Sequence, residues 1–166
     1  MIGGGVPVGA VAGRADVRDV MNPRAEKVLF PHSGTFSANP ISTTAGLVAM
    51  EKFDAAAVER LNGLADRAMR GIEAAIDRTG MPACVTGTGS MFRVHMKERA
   101  PRNFREAFLT PDEKAKLQIL IDHLFDEGFV MINTCTATLS TPMTEAEIDG
   151  LVAAIGSGFE KILAGE

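Results

Sequence analysis

Apolar residues recur at helical spacing along three stretches of this chain and alternate with polar residues in shorter ones, and that contrast lays out its elements. From residue 41 to 78 the pattern is helical almost throughout, with a break predicted at Phe53-Asp54. In its second half Leu61, Leu64, Ala65, Ala68, Ile72, Ala75 and Ile76 fall on one face. Asp66 and Arg70 make an i,i+4 pair on the wet side, and Gly80-Met81-Pro82 stops the helix. Thr110-Pro111-Asp112-Glu113 is a capping box with proline at the first helical position, and Gly128 supplies the stop. The helix between them buries Leu117, Leu120, Ile121 and Leu124. Thr144-Glu145-Ala146-Glu147 repeats the box and opens a last amphipathic helix through Ile148, Leu151, Val152, Ile155, Phe159 and Ile162.

Strand signals lie between these helices. Residues 83–86 and 91–96 are predicted strands joined across Gly87-Thr88-Gly89. In the second, Phe92, Val94 and Met96 alternate with Arg93 and His95, which puts His95 on the outward face. Two further short strands are predicted at 129–132 and 137–140. Strands with helices on one side make residues 81–166 an open α+β sandwich. Ahead of the long helix the pattern is looser. Five glycines between Ile2 and Gly13 predict a turn and a short buried strand at 8–12. A short helix at 15–21 ends at Asn22-Pro23, and a long connection runs to residue 40.

The end of that connection, Phe30-Pro31-His32-Ser33-Gly34-Thr35-Phe36-Ser37-Ala38-Asn39-Pro40, is the candidate site. It combines small hydroxyls and backbone N–H groups with a helix start, where the dipole favours anions such as phosphate. The plainer reading is a capped helix entry, with Asn39 as cap and Pro40 in the first turn. His32 either contacts a ligand or holds the loop by hydrogen bonds. Arg102 and Arg105, in an irregular polar stretch at 100–108, are either solvated or available to an anionic group.

Composition narrows the function classes. The net charge of −4, with no Trp, no Tyr and no basic run, makes nucleic acid a poor partner. No apolar run approaches the ~20 residues of a membrane span, and the N-terminus lacks a signal peptide's charged and apolar regions. Cys84 and Cys135 match no metal or redox spacing and read as reduced core thiols, so the cytoplasm is expected. No Ser–His–Asp arrangement, metal cluster or paired carboxylate stands out.

Gly34-Thr35-Phe36-Ser37-Ala38-Asn39-Pro40 resembles a segment of the class III, fold type I, pyridoxal-phosphate aminotransferases, in the version carried by glutamate-1-semialdehyde 2,1-aminomutases and related aminotransferases. Ile2-Gly3-Gly4-Gly5-Val6-Pro7-Val8-Gly9-Ala10 resembles the segment that follows the cofactor-bonding lysine in the same family. Two such motifs in order and at a suitable spacing are specific together, where neither glycine run would be alone.

The resemblance implies the C-terminal portion of a fold type I transferase: the end of a large cofactor domain over 1–53, a linker helix over 54–80 and a small α+β domain over 81–166. It implies pyridoxal 5'-phosphate as cofactor, with Gly34 and Thr35 contacting its phosphate in the active site of the neighbouring subunit of a homodimer. The lysine would lie just before Met1, so no catalytic residue is assigned within the chain, and the chain alone is expected to be inactive. The implied activity is amino-group transfer between an amino acid and an oxo compound, an oxo acid or semialdehyde. Ile132-Asn133-Thr134-Cys135-Thr136 departs from the aminomutase pattern, being shorter and without its glutamate, and so favours an aminotransferase. The aminomutase itself and a non-catalytic module for dimerisation or ligand binding remain the alternatives.

Overall fold

The computed structural model describes residues 2–165. They form two compact units that divide after Asp54.

The second unit is built on α3 (Ala55–Thr79), α4 (Pro111–Asp126), α5 (Glu145–Ala164) and a three-stranded antiparallel sheet of β1 (Cys84–Thr88), β2 (Met91–His95) and β3 (Thr136–Thr138), in the order β1-β2-β3. The predicted stripe of α3 is buried as expected, with Ile76 partly so. Both capping boxes form: Thr110 and Thr144 accept from backbone N–H groups while Glu113 and Glu147 reach back to the cap N–H groups. Such caps satisfy donors that would otherwise be orphaned at each helix start.

Close approach of α5 to its neighbours rests on small residues. A Cβ on Gly71 of α3 would sit 2.8 Å from the Val152 methyls of α5, and one on Gly158 of α5 would sit 2.6 Å from Leu120 of α4. Leu120, Ile155 and Phe159 thereby become fully enclosed. Between α3 and α5, Arg67 binds Asp149 through both carboxylate oxygens (2.7 and 2.8 Å), and Arg78 binds Glu160. The expected Asp66–Arg70 pair does not form among the described residues. Its neighbour Arg67 lies on the flank facing α5, where Asp149 offers a two-point contact across the helices. These pairs are exposed and add little stability.

In the sheet, Val85 faces Val94, Phe92 faces Ala137, and Arg93 faces Thr86 on one side and Thr136 on the other. Phe92 and Val94 turn into the core with Met96. Two predicted strands are corrected. Residues 129–132 pair with nothing, because the Phe129 N–H is taken by the Leu124 carbonyl at the end of α4 (2.7 Å). A turn closed by Cys135 N–H to Ile132 O (2.8 Å), with Cys135 at φ 54°, then delays pairing until Thr136. Residues 8–12 of the first unit also form no strand and are mostly exposed, since that unit offers no strand to hydrogen-bond with them.

His95 lies on the outward face as expected but is not solvated there. Alternation does turn it away from Phe92 and Val94, yet it is only 5 % exposed, and its Nε2 lies 2.8 Å from the Thr86 hydroxyl of β1. Beyond it Lys97 is tied to both oxygens of Glu113 at the start of α4 (2.9 and 2.7 Å), which draws the chain back over this end of the sheet. Burial, followed by the positive charges of Arg93 and Lys97, holds the His95 pKa below the ordinary histidine value. An unfolded chain takes up this proton near pH 6.5 while the folded chain resists it, so stability is full above that pH and declines below it. Urea midpoints measured from pH 8 to pH 5 should fall more in the wild type than in His95→Gln. Parallel curves would remove His95 as a cause.

The first unit holds α1 (Ala15–Arg18), a 3-10 turn at Asp19–Met21 and α2 (Pro40–Lys52), joined by the long connection. The short helix and the break after Lys52 match the sequence pattern. A glycine turn closed by Val6 N–H to Gly3 O (3.0 Å) packs on α2. A Cβ on Gly4 would lie 3.1 Å from the Ala45 carbonyl, and one on Gly46 would lie 3.5 Å from a Val8 methyl. Only Ser42 and Gly46 of α2 are buried, whereas Ile41, Leu47, Val48 and Met50 are exposed.

Candidate functional site

Asn39 governs the loop that precedes α2. Its side-chain oxygen accepts from the N–H groups of Ile41 (3.0 Å) and Ser42 (3.1 Å), and its carbonyl accepts from Thr43 (2.9 Å). Pro40 has no N–H to offer. The amides at the helix start are therefore all used internally, and the helix does not present them to an anion. What the loop leaves open lies just upstream. Ser37 N–H bonds Gly34 O (2.9 Å) and Asn39 N–H bonds Phe36 O (3.2 Å), folding residues 34–39 into consecutive turns with Ala38 at φ 54°.

Gly34 and Thr35 sit at the head of these turns, and both are exposed. The hydroxyls of Ser33, Thr35 and Ser37 have no hydrogen-bond partner among the described residues. A Cβ on Gly34 would approach the Ser37 hydroxyl to 3.2 Å, so glycine keeps the turn narrow. Neutral donors on an open turn fit one side of a phosphate group. The loop carries no lysine or arginine, so the charge that opposes a phosphate must come from elsewhere. His32 is exposed and makes no hydrogen bond that would fix the loop. That removes the structural role expected for it.

The two cysteines of the second unit are not poised as nucleophiles. Burial pushes the Cys135 thiol up to about 12 and raises Cys84 as well, so both stay protonated and unreactive at neutral pH. Neither is in a disulfide. Arg102 is engaged by Glu106 through its backbone N–H, Nε and Nη2 (2.9–3.3 Å), and that contact holds the Glu106 carboxyl below its ordinary value. The Arg105 side chain is exposed and without a partner among the described residues. Among the described residues no group of three or more potential ligands could hold a metal ion, and no helix is long and apolar enough to cross a membrane.

Sequence reasoning placed Gly34 and Thr35 on the loop but missed one thing. It did not foresee that Asn39 consumes the helix amides, although a cap bonding two N–H groups is what Asn-Pro at a helix start favours.

Comparison with known proteins gives a consistent picture. The family model described as "Aminotransferase class-III" matches residues 1–154. The chain is 35% identical over 159 residues to a beta-phenylalanine transaminase of Variovorax paradoxus, covering 94% of this chain and 35% of that protein. It is 34% identical over 107 residues to a glutamate-1-semialdehyde 2,1-aminomutase of Tropheryma whipplei, covering 64% of this chain and 22% of that protein. An omega-transaminase crystal structure from Sphaerobacter thermophilus superposes with a TM-score of 0.89 at 36% identity, over 96% of this chain and 36% of that one. The chain thus spans about a third of the length of these transaminases.

Proposed function

The chain belongs to the class-III aminotransferase family, and from that premise we propose that it forms the C-terminal part of an enzyme moving an amino group between an amino acid and an oxo compound, with pyridoxal phosphate as cofactor. The observation that carries the reading is the Gly34-Thr35 turn, whose exposed hydroxyls have no partner among the described residues and lie in the segment matched by the family. A solved relative at 32% identity is described as a transaminase with the cofactor bound.

Bound pyridoxal phosphate supplies the electron sink needed when an amino acid loses its α-proton. The part played by this chain is binding. Thr35 donates its hydroxyl to a phosphate oxygen, Gly34 lets the backbone approach, and Asn39 fixes the turn by tying it to α2. We assign residues 1–53 to the end of a large cofactor domain, 54–80 to a linker helix and 81–166 to a small C-terminal domain. In this reading the lysine that bonds the cofactor would lie just before Met1. The loop serves the active site of a second subunit, and the bare apolar faces of α2 support burial in a larger assembly.

A transaminase is favoured over an aminomutase. The beta-phenylalanine transaminase aligns over 94% of the chain, while the aminomutase aligns over 64%. A direct test grafts this chain in place of the matching third of the Variovorax transaminase. The graft should sediment as a dimer and retain the cofactor. Thr35→Ala in the graft should weaken retention ten- to a hundredfold, from losing a hydroxyl bond to a charged group worth ~1.5–3 kcal/mol. A monomeric graft would sink the assembly, and unchanged retention in Thr35→Ala would remove Thr35 from the site.

A further inference from the structure

β3 is the last strand of its sheet and has a neighbour on one side only. Its pairing with β2 runs past the strand at both ends, through Val94 N–H to Cys135 O (3.1 Å) and Leu139 N–H to Ser90 O (3.0 Å). These two bonds fix which backbone groups face outward. In a trans peptide the N–H points opposite to the carbonyl, so the Thr136 N–H and the Thr138 carbonyl turn away from β2. Antiparallel alternation adds the Thr136 carbonyl and the Thr138 N–H to the same edge. None of the four has a hydrogen-bond partner among the described residues.

Edge strands are ordinarily blunted by charge, by proline or by a cover. Residues 136–139, Thr-Ala-Thr-Leu, carry neither charge nor proline. Beside the edge lies an apolar groove of about 540 Å³, lined by β3 and by residues 128–132. Buried Ile148 and Leu151 of α5 lie at its base, while Val130 (82 % exposed) and Ile132 (59 %) stand open to solvent on its rim. The carboxylate on its lining, Glu147, is already held by the Thr144 N–H and hydroxyl (2.7 and 2.6 Å). The groove thus sets a row of backbone donors and acceptors beside space for apolar side chains, which is what an added strand requires.

We propose that the open edge of β3 receives a fourth strand, an extended segment of the same polypeptide whose alternate apolar side chains fill the groove. This rests on the reading of the chain as the C-terminal part of a longer enzyme: it matches 35% and 36% of the transaminase relatives, which leaves about two thirds of their length outside. A second copy of the chain does not supply the guest. Twofold pairing of β3 with itself would offer the groove only the methyl of Ala137, which turns into its own core beside Phe92. The guest strand bonds Thr136 and Thr138 through their N–H groups and carbonyls and covers Val130 and Ile132.

Amide hydrogen exchange read residue by residue tests this in two settings: the chain alone, and the graft into the Variovorax transaminase, whose other two thirds supply the guest. In the chain alone Ala137 and Leu139, bonded to β2, should be protected, and Thr136 and Thr138 should exchange like loop amides. In the graft Thr136 and Thr138 should slow roughly a hundredfold, as amides do when they open only with the structure around them. Ile132→Asp on the rim should cut that gain roughly tenfold in the graft and leave Ala137 and Leu139 protected in the chain. Thr138→Pro removes an outward N–H and no bond to β2, and as the second variant it should lower Thr136 protection in the graft alone. A graft that sediments as a dimer and retains the cofactor with both edge amides still fast overturns the added strand and leaves the enzyme reading standing. A graft that does neither sinks both. Protection of Thr136 and Thr138 in the isolated chain also overturns the proposal: if it grows with concentration the guest is a second copy, and if it does not the edge was never open.

Discussion

Incubated with pyridoxal phosphate and reduced with borohydride, this chain should show only scattered, substoichiometric labelling of its six lysines, and no transamination of any amino donor. Covalent chemistry at the cofactor's aldehyde needs an amine held at one place and desolvated enough to lose its proton near neutral pH. None of the lysines meets both demands. Lys27, Lys52 and Lys114 are exposed. Lys97 is the least exposed in an ion pair, but Glu113 holds it through both oxygens and away from any ligand. Lys116 is held by Asp112 at 2.7 Å, and Lys161 lies in the last turn of α5, where the helix dipole favours a cation. The expected turnover is background. Mass-spectrometric mapping that finds one lysine labelled stoichiometrically, together with turnover, would make the chain a self-sufficient catalyst.

Phe159→Ala should destabilise the second unit by ~3–5 kcal/mol, a large part of the ~5–15 kcal/mol available to an ordinary domain. Phe159 is wholly buried on α5, next to the Gly158 contact that brings α4 within reach. Neighbouring side chains cannot refill the space without separating helices already at their closest approach. Phe125→Ala serves as control, because that ring on α4 is 66 % exposed and its loss should stay within ~0.5 kcal/mol. Denaturant unfolding of both variants decides the matter: equal midpoints would mean that Phe159 is not a keystone of this core.

Helices were far more legible in the sequence than strands, for a physical reason. A helix closes its hydrogen bonds within a few residues, so the stripe from Leu61 to Ala75 and the boxes at Thr110 and Thr144 contain nearly all the information that forms them. A strand depends on what lies beside it. Residues 8–12 and 129–132 have suitable composition but no partner, and the second segment loses its first N–H to α4. The burial of His95 went unread for a related reason. Alternation fixes the face of a sheet but not what crosses that face, and the ion pair from Lys97 to Glu113 spans elements that no periodicity connects. At the candidate site the cap and the turn residues were readable. The absence of free helix amides was not, because it depends on which way the Asn39 side chain turns.

The Arg67–Asp149 and Arg78–Glu160 links between α3 and α5 each join residues 82 apart in sequence. At roughly 5–20 residues per second, synthesis leaves about 4–16 seconds between the two ends of each link. Throughout that interval α3 has already formed its hydrogen bonds while the stripe through Leu64, Ala68 and Ile72 has no α5 to cover it. The long helix is thus the nascent chain's most exposed hazard: a surface that chaperones should grip until Ile155 and Phe159 emerge, and the first place where crowded ribosomes would tangle neighbouring copies.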